Sequence, residues 1–207
     1  MIFGGWTRRN WIAAALAIGA TAPAFAAGDG AILVLGDSLS AEYGLKRGSG
    51  WVALLERRLA AEKIPAAVVN ASISGETTSG GRSRLAALLA RHKPGVVVLE
   101  LGTNDALRGL PLGMTEDNLS QMTQAAQQAG ARVLLVGMQV PPNYGTDYSK
   151  RFVGLFASVA TKHKAALVPF LLKGVADIDE PSRMFQPDRI IRWPRRSRRC
   201  SPMSGPN

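Results

Sequence analysis

Three short polar stretches in this chain each follow an apolar run. Gly36-Asp37-Ser38-Leu39-Ser40 follows Ala31 to Leu35, Ala71-Ser72-Ile73-Ser74-Gly75-Glu76 follows Ala66 to Asn70, and Gly102-Thr103-Asn104-Asp105 follows Val96 to Leu101. Taken singly, Gly-Asp-Ser and Gly-Thr-Asn-Asp are ordinary turn sequences after a strand. Together they place a serine hydroxyl, a glycine N–H and an asparagine amide after successive strands. Acyl transfer needs that set: a hydroxyl nucleophile, with backbone and side-chain donors aimed at a developing oxyanion. Ser38 does not sit in a Gly-x-Ser-x-Gly elbow, because Ser40 occupies the place of the last glycine. No glycine-rich loop leads into a helix with a lysine in P-loop spacing, which disfavours phosphate binding.

The elements that would position these groups are legible as alternation. Candidate strands are Ala31 to Leu35, Ala66 to Asn70, Val96 to Leu101, Arg132 to Met138 and Ala166 to Pro169. Between them Trp51 to Lys63, Thr78 to His92, Thr115 to Ala129 and Lys150 to Lys164 carry apolar residues at helical period. Strands and helices in alternation predict an α/β domain with a parallel sheet covered on both faces. Such sheets gather their chemistry at the carboxyl ends of the strands, where all three polar stretches fall.

The rest of the composition narrows the class. The chain has 207 residues, 46% of them apolar, enough for one core. Residues 1–26 carry a basic start at Arg8 and Arg9, an apolar run from Trp11 to Ala20 and the small-residue end Ala24-Phe25-Ala26, the parts of a cleaved export signal. The apolar run is shorter than the roughly 20 residues of a membrane span. The expected destination is the bacterial periplasm or the exterior, with no stable membrane insertion after cleavage; the arginine pair leaves both the general secretory and the twin-arginine route open. Of the formal charge of +10, Arg8, Arg9 and five arginines between Arg192 and Arg199 carry seven, so the body holds only about +3. Nucleic acid is therefore not an expected partner. A single cysteine, Cys200, and two histidines supply neither an internal disulfide nor a metal-ligating cluster, and no cofactor is expected.

The stretches ILVLGDSLSAEYGL, VVNASISGETTSGG and LELGTNDALRGL resemble the first three sequence blocks of the GDSL, or SGNH, hydrolases, in particular the bacterial periplasmic arylesterase, thioesterase I and lysophospholipase group. The similarity runs from about Ala31 to Ile190 and includes QVPPNYG at 139 to 145. It implies a flavodoxin-like three-layer α/β/α sandwich over residues 27–190, with five parallel strands in the order 2-1-3-4-5. It also implies a monomeric enzyme that cleaves small ester, thioester or lysophospholipid substrates.

By position, the resemblance makes Ser38 the nucleophile, and makes the N–H groups of Ser38 and Gly75 and the amide of Asn104 the oxyanion hole. Asp37 and Asp105 are expected to fix turns rather than do chemistry. The stretch Ala106 to Pro111, with Leu107, corresponds to a substrate-binding loop or to plain surface. Tyr144 either lines an acyl groove or packs its own loop.

The last family block is Asp-x-x-His-Pro, whose histidine serves as base and whose aspartate orients it. Here Asp188-Arg189-Ile190-Ile191 keeps the aspartate and has Ile191 where the histidine belongs. His92 and His163 end the helices that precede strands three and five, so both are expected at the amino-terminal edge of the sheet, exposed and a strand's length from Ser38.

Residues 191–207 are arginine- and proline-rich and unlike anything before them. One base restored after the Ile190 codon turns the following codons into His-Pro under permitted codon choices, and a continuation resembling the family's last helix then follows. The tail thus reads as a lost frame. A naturally inactive relative, or a tail that binds anions, are the alternatives, and a catalytically inactive lipid- or glycan-binding protein is the competing function.

Overall fold

A computed structural model describes residues 30–172. Five strands form one parallel sheet: β1 (Ile32–Gly36), β2 (Val68–Asn70), β3 (Val96–Glu100), β4 (Arg132–Val136) and β5 (Ala166–Val168). Their order is β2-β1-β3-β4-β5, as the resemblance implied. The register is continuous, with Leu33 beside Val69 on one side and Val97 on the other.

Strand side chains alternate between faces, and the sequence uses both faces for burial. Leu33, Leu35, Val97, Leu99, Val133 and Leu135 point into the larger core cluster. Helices α2 (Thr78–His92), α4 (Leu112–Gln128) and α5 (Thr146–His163) cover that face, through Leu85, Leu89, Leu119, Met122, Phe152, Leu155 and Phe156. Phe152 and Phe156 meet edge to face with ring centres 5.4 Å apart. The intervening residues Val34, Val98 and Val136 form a smaller cluster on the opposite face, under Val52 of α1 (Trp51–Ala61). Among the described residues no helix is long and apolar enough to cross a membrane.

Helix α2 has the bounds its periodicity predicts, and the departures elsewhere have local causes. Strand β2 starts at Val68 rather than Ala66, because the Ala66 N–H turns back to the Ile64 carbonyl. Strand β4 ends at Val136, two residues short of Met138. Strand β5 ends before Pro169, which has no N–H to give a ladder. Helix α4 begins at Leu112 and not Thr115, since the Pro111 carbonyl already accepts the N–H groups of Met114 and Thr115. Helix α5 starts at Thr146, four residues ahead of Lys150. A short helix, α3 (Thr103–Leu107), occupies ground whose turn-forming residues gave no helical period.

Phe152 is fully buried between α5 and the sheet. Phe152→Ala is expected to cost about 3–5 kcal/mol. Urea denaturation checks this, and a loss below 1 kcal/mol would mean that the α5 side of the core collapses around the gap.

Candidate active site

The parallel register sets the site. β1 and β3 lie side by side with Gly36 opposite Glu100, so the chain leaves both strands at the same edge. Gly36 has no side chain because none fits there. A Cβ would stand 2.5 Å from Ser40 Oγ and 2.8 Å from Glu100 Oε2.

From that edge the three polar loops are tied by hydrogen bonds. The Asp37 carboxylate accepts the Leu39 N–H at 3.0 Å, closing a tight turn across Ser38. The Ser38 carbonyl takes the Tyr43 N–H at 3.1 Å, so the nucleophile candidate is held within a compact, half-buried turn. The second loop docks through the Ile73 N–H, which donates to the Gly36 carbonyl at 3.1 Å. Asn104 supplies the third tie. Its Nδ2 donates to Asp37 Oδ2 at 3.0 Å and to the Glu76 carbonyl at 3.0 Å. One side-chain amide thus joins all three stretches and spends both its hydrogens doing so.

Gly75 adopts φ +77°, a left-handed conformation that glycine takes without penalty. The Arg108 guanidinium donates to its carbonyl at 2.8 Å, linking this turn to the segment after α3. Leu107 is among the most exposed apolar residues, at 52%. Tyr144 lies in a short 3-10 helix (Pro142–Tyr144), half-buried against the larger cluster, with its ring centre 5.7 Å from that of Tyr148. The packing role of Tyr144 is thereby visible.

Asp105 ties the third polar stretch to the start of α2 rather than closing a turn of its own. It is fully buried and accepts the Thr78 N–H at 2.9 Å and the Thr78 hydroxyl. Asn118 from α4 completes the group with a 3.0 Å bond to Thr78 Oγ1. Asp37 is almost as buried, and its pKa is pushed up to about 6. Burial is the main cause, opposed by hydrogen bonds from Leu39, Glu100 and Ser38, with the Asp105 charge raising it further.

Sequence reasoning missed Glu100. It ends an otherwise apolar strand and is fully buried, accepting the Asp37 N–H at 3.2 Å and the Ser40 hydroxyl at 2.7 Å. Ser40 in turn receives the Trp51 indole N–H at 3.1 Å, and its carbonyl receives Asn70 Nδ2 at 2.8 Å. A lone charge closing the run Val96-Val97-Val98-Leu99 is the signal that could have found it.

Neither described histidine is a base for Ser38. His92 ends α2 and His163 ends α5, at the opposite edge of the sheet, and a five-residue strand spans roughly 17 Å. Both are half-buried rather than exposed as expected. His163 packs between helices: its Nε2 is 2.6 Å from Ser120 Oγ, and its carbonyl accepts Gln127 Nε2 at 2.8 Å. Asp188 and Ile191 lie outside the described residues, as do residues 1–26, expected from sequence to be an export signal, and residues 191–207. Among the described residues no group of three or more His, Cys, Asp or Glu gathers as metal ligands.

The three polar stretches meet at the switch between β1 and its two neighbours in a parallel α/β fold, the place where such sheets carry their chemistry. The profile of the GDSL-like Lipase/Acylhydrolase family matches residues 34–191, and the chain belongs to that family of esterase-type hydrolases. It is 52% identical over 159 residues to Esterase TesA of Pseudomonas aeruginosa, covering 77% of this chain and 78% of that one. It is 41% identical over 144 residues to the Escherichia coli K12 protein named thioesterase 1/protease 1/lysophospholipase L1, covering 70% and 68% respectively. Among solved structures, that of TesA superposes with a TM-score of 0.74 at 50% identity, over 79% of this chain and 89% of the other.

Replacing Gly36 tests how tightly the loops are packed. Gly36→Ala is expected to destabilise the fold by about 1–3 kcal/mol and to speed hydrogen exchange at the Leu39 amide. An unchanged denaturation midpoint would show that Ser40 and Glu100 can move aside freely.

Proposed function

We propose that this protein is an exported serine hydrolase of carboxylic esters or thioesters whose catalytic base is missing from the chain as written. The observation that carries the reading is Asn104 bridging Asp37 and Glu76, which ties the loops that carry Ser38, Gly75 and Asn104 together at the carboxyl edge of the sheet. With a histidine at 191 taking its proton, Ser38 Oγ attacks the acyl carbonyl; the oxyanion forms against the N–H groups of Ser38 and Gly75 and the Asn104 amide, then collapses to expel the alcohol or thiol, which takes up that proton, and water hydrolyses the resulting Ser38 ester. Asn104 must share or release one of its two present bonds as the oxyanion develops. Leu107 and Tyr144 flank the acyl chain in this reading. The relatives named esterase and thioesterase/lysophospholipase support this substrate range.

Asp188 would orient a histidine at 191, where the chain has Ile191. Without a base, Ser38 keeps only the help of its oxyanion donors and of substrate binding.

Resequencing codons 185 to 207, together with assays of two chains, tests this. The chain as written is expected to hydrolyse p-nitrophenyl esters and acyl-CoA roughly four to six orders of magnitude more slowly than one with the His-Pro frame restored. Ser38→Ala is expected to abolish the restored activity. Equal rates for the two chains would sink the missing-base reading. A restored chain that binds acyl ligands without turnover would favour an inactive lipid- or glycan-binding protein on this fold.

A further inference from the structure

Two buried carboxyl groups lie together beneath the Ser38 turn. Glu100 has no exposed surface and Asp37 only 2%. Among the described residues neither forms an ion pair. Two ionised carboxylates side by side, out of water and without a cation, repel strongly.

The hydrogen bonds show where a proton fits. Glu100 Oε2 is filled by the Asp37 N–H and the Ser40 hydroxyl. Glu100 Oε1 is buried and has no partner. As a bare anionic oxygen it would be costly there, whereas with a proton it becomes a donor. The Asp37 and Glu100 carboxyl groups are within hydrogen-bonding reach of one another, and Oε1 is the Glu100 oxygen left without a partner. Asp37 is well suited to remain the anion, because Leu39 N–H and Asn104 Nδ2 already donate to its two oxygens.

We propose that Glu100 is a positioning residue that keeps its proton at neutral pH and donates it from Oε1 to the Asp37 carboxylate, which in turn aims the Asn104 amide. This rests on the reading of Ser38, Gly75 and Asn104 as an acyl-transfer site. The chain of bonds runs from β3 through the Ser38 turn to α3, and Glu100 itself touches no substrate. The other groups facing the pair are Ser40 and the Trp51 indole from α1, neither titrating near neutrality, and Asp105 from α3, whose negative charge further favours a proton on the pair. Burial and the neighbouring Asp37 charge both hold the Glu100 proton well above the ordinary carboxyl range.

The sign of the pH dependence follows. An acid that holds its proton more tightly folded than unfolded stabilises the fold below its unfolded pKa, and that contribution is lost as pH rises through the folded value. Both Glu100 and Asp37 are raised, so the folded chain loses stability from about pH 4 upward through pH 6 and beyond. Glu100→Gln imitates the neutral acid, with an amide donor toward Asp37 and an oxygen for Ser40, but does not titrate. Its melting temperature is expected to match wild type near pH 4 and to exceed it by about 3–6 °C at pH 8. Glu100→Ala is expected to be less stable than Glu100→Gln throughout.

Infrared spectroscopy of the wild-type chain at pH 7 is expected to show a neutral carboxylic acid carbonyl that vanishes in Glu100→Gln and survives in Ser38→Ala. The side-chain amide resonances of Asn104 are expected to shift with pH in two steps in wild type, to keep only the Asp37 step in Glu100→Gln and to move at every pH in Glu100→Ala. A Gln-minus-wild-type difference that is constant from pH 4 to 8, or Asn104 resonances indifferent to all changes at Glu100, would overturn the inference. None of these readouts needs turnover. Loss of the pH signature in a His-Pro-restored chain that hydrolyses esters overturns the role of Glu100 alone, and a restored chain that is inactive with the signature intact overturns only the acyl-transfer reading.

Discussion

Everything at the working edge of this protein depends on the in-register parallel pairing of β1 with β3. That pairing sets Gly36 opposite Glu100 and releases both chains at the same level. From there three side chains do the rest: Glu100 reaches under the next loop, Asp37 closes it, and Asn104 reaches back from the neighbouring strand's exit. A slip of one residue would reverse the faces of β3 and send Glu100 into the wrong layer. The apolar alternation of Leu33, Leu35, Val97 and Leu99 against Val34 and Val98 prevents that slip, because either face would lose its core. The hydrophobic pattern of the strands is therefore also the ruler that spaces the polar groups.

How legible each part was follows from how local its cause is. The sheet order and helix α2 were readable because short apolar runs and helical period are local signals. Ser38, Gly75 and Asn104 stand out in the sequence because each lies in the polar stretch that follows a strand, and the structure brings those stretches together. Glu100 was not, since what makes it informative is a partner 63 residues earlier in the chain. Arg108 is a similar case: as one arginine in a loop it means little, and its bond to the Gly75 carbonyl appears only once the loops are assembled. Helix α3 was hidden because it opens on the turn formers Asn104 and Asp105 and its five residues leave no room for a period. The exposure expected for His163 failed for a comparable reason, as Ser120 lies 43 residues away on another helix.

The same packing explains why the two histidines cannot be recruited. In a parallel sheet each helix returns the chain to the amino-terminal edge, so residues ending a helix and residues following a strand are separated by the full strand length. His163 is further committed by its contact with Ser120 and by the Gln127 bond to its carbonyl. A base for Ser38 must come from a segment that ends at the carboxyl edge, and the three strand exits of the site hold serine, glutamate and asparagine but no histidine.

Placing acids without a cation beneath a nucleophile has a physical logic of its own. A buried lysine or arginine would satisfy Asp37 and Glu100, but it would also bring a positive charge close to Ser38 and compete with Asn104 for Asp37. A shared proton neutralises one charge and adds no bulk, which matters where even a methyl group at Gly36 does not fit. It leaves a single negative charge on Asp37, surrounded by donors whose directions are fixed by the backbone. That charge holds the Asn104 amide by one hydrogen while the other is shared with the Glu76 carbonyl. The amide is thus oriented before any substrate arrives, by an arrangement whose cost falls on stability above the acidic range, and only the bond to the Glu76 carbonyl is left to loosen as the oxyanion develops.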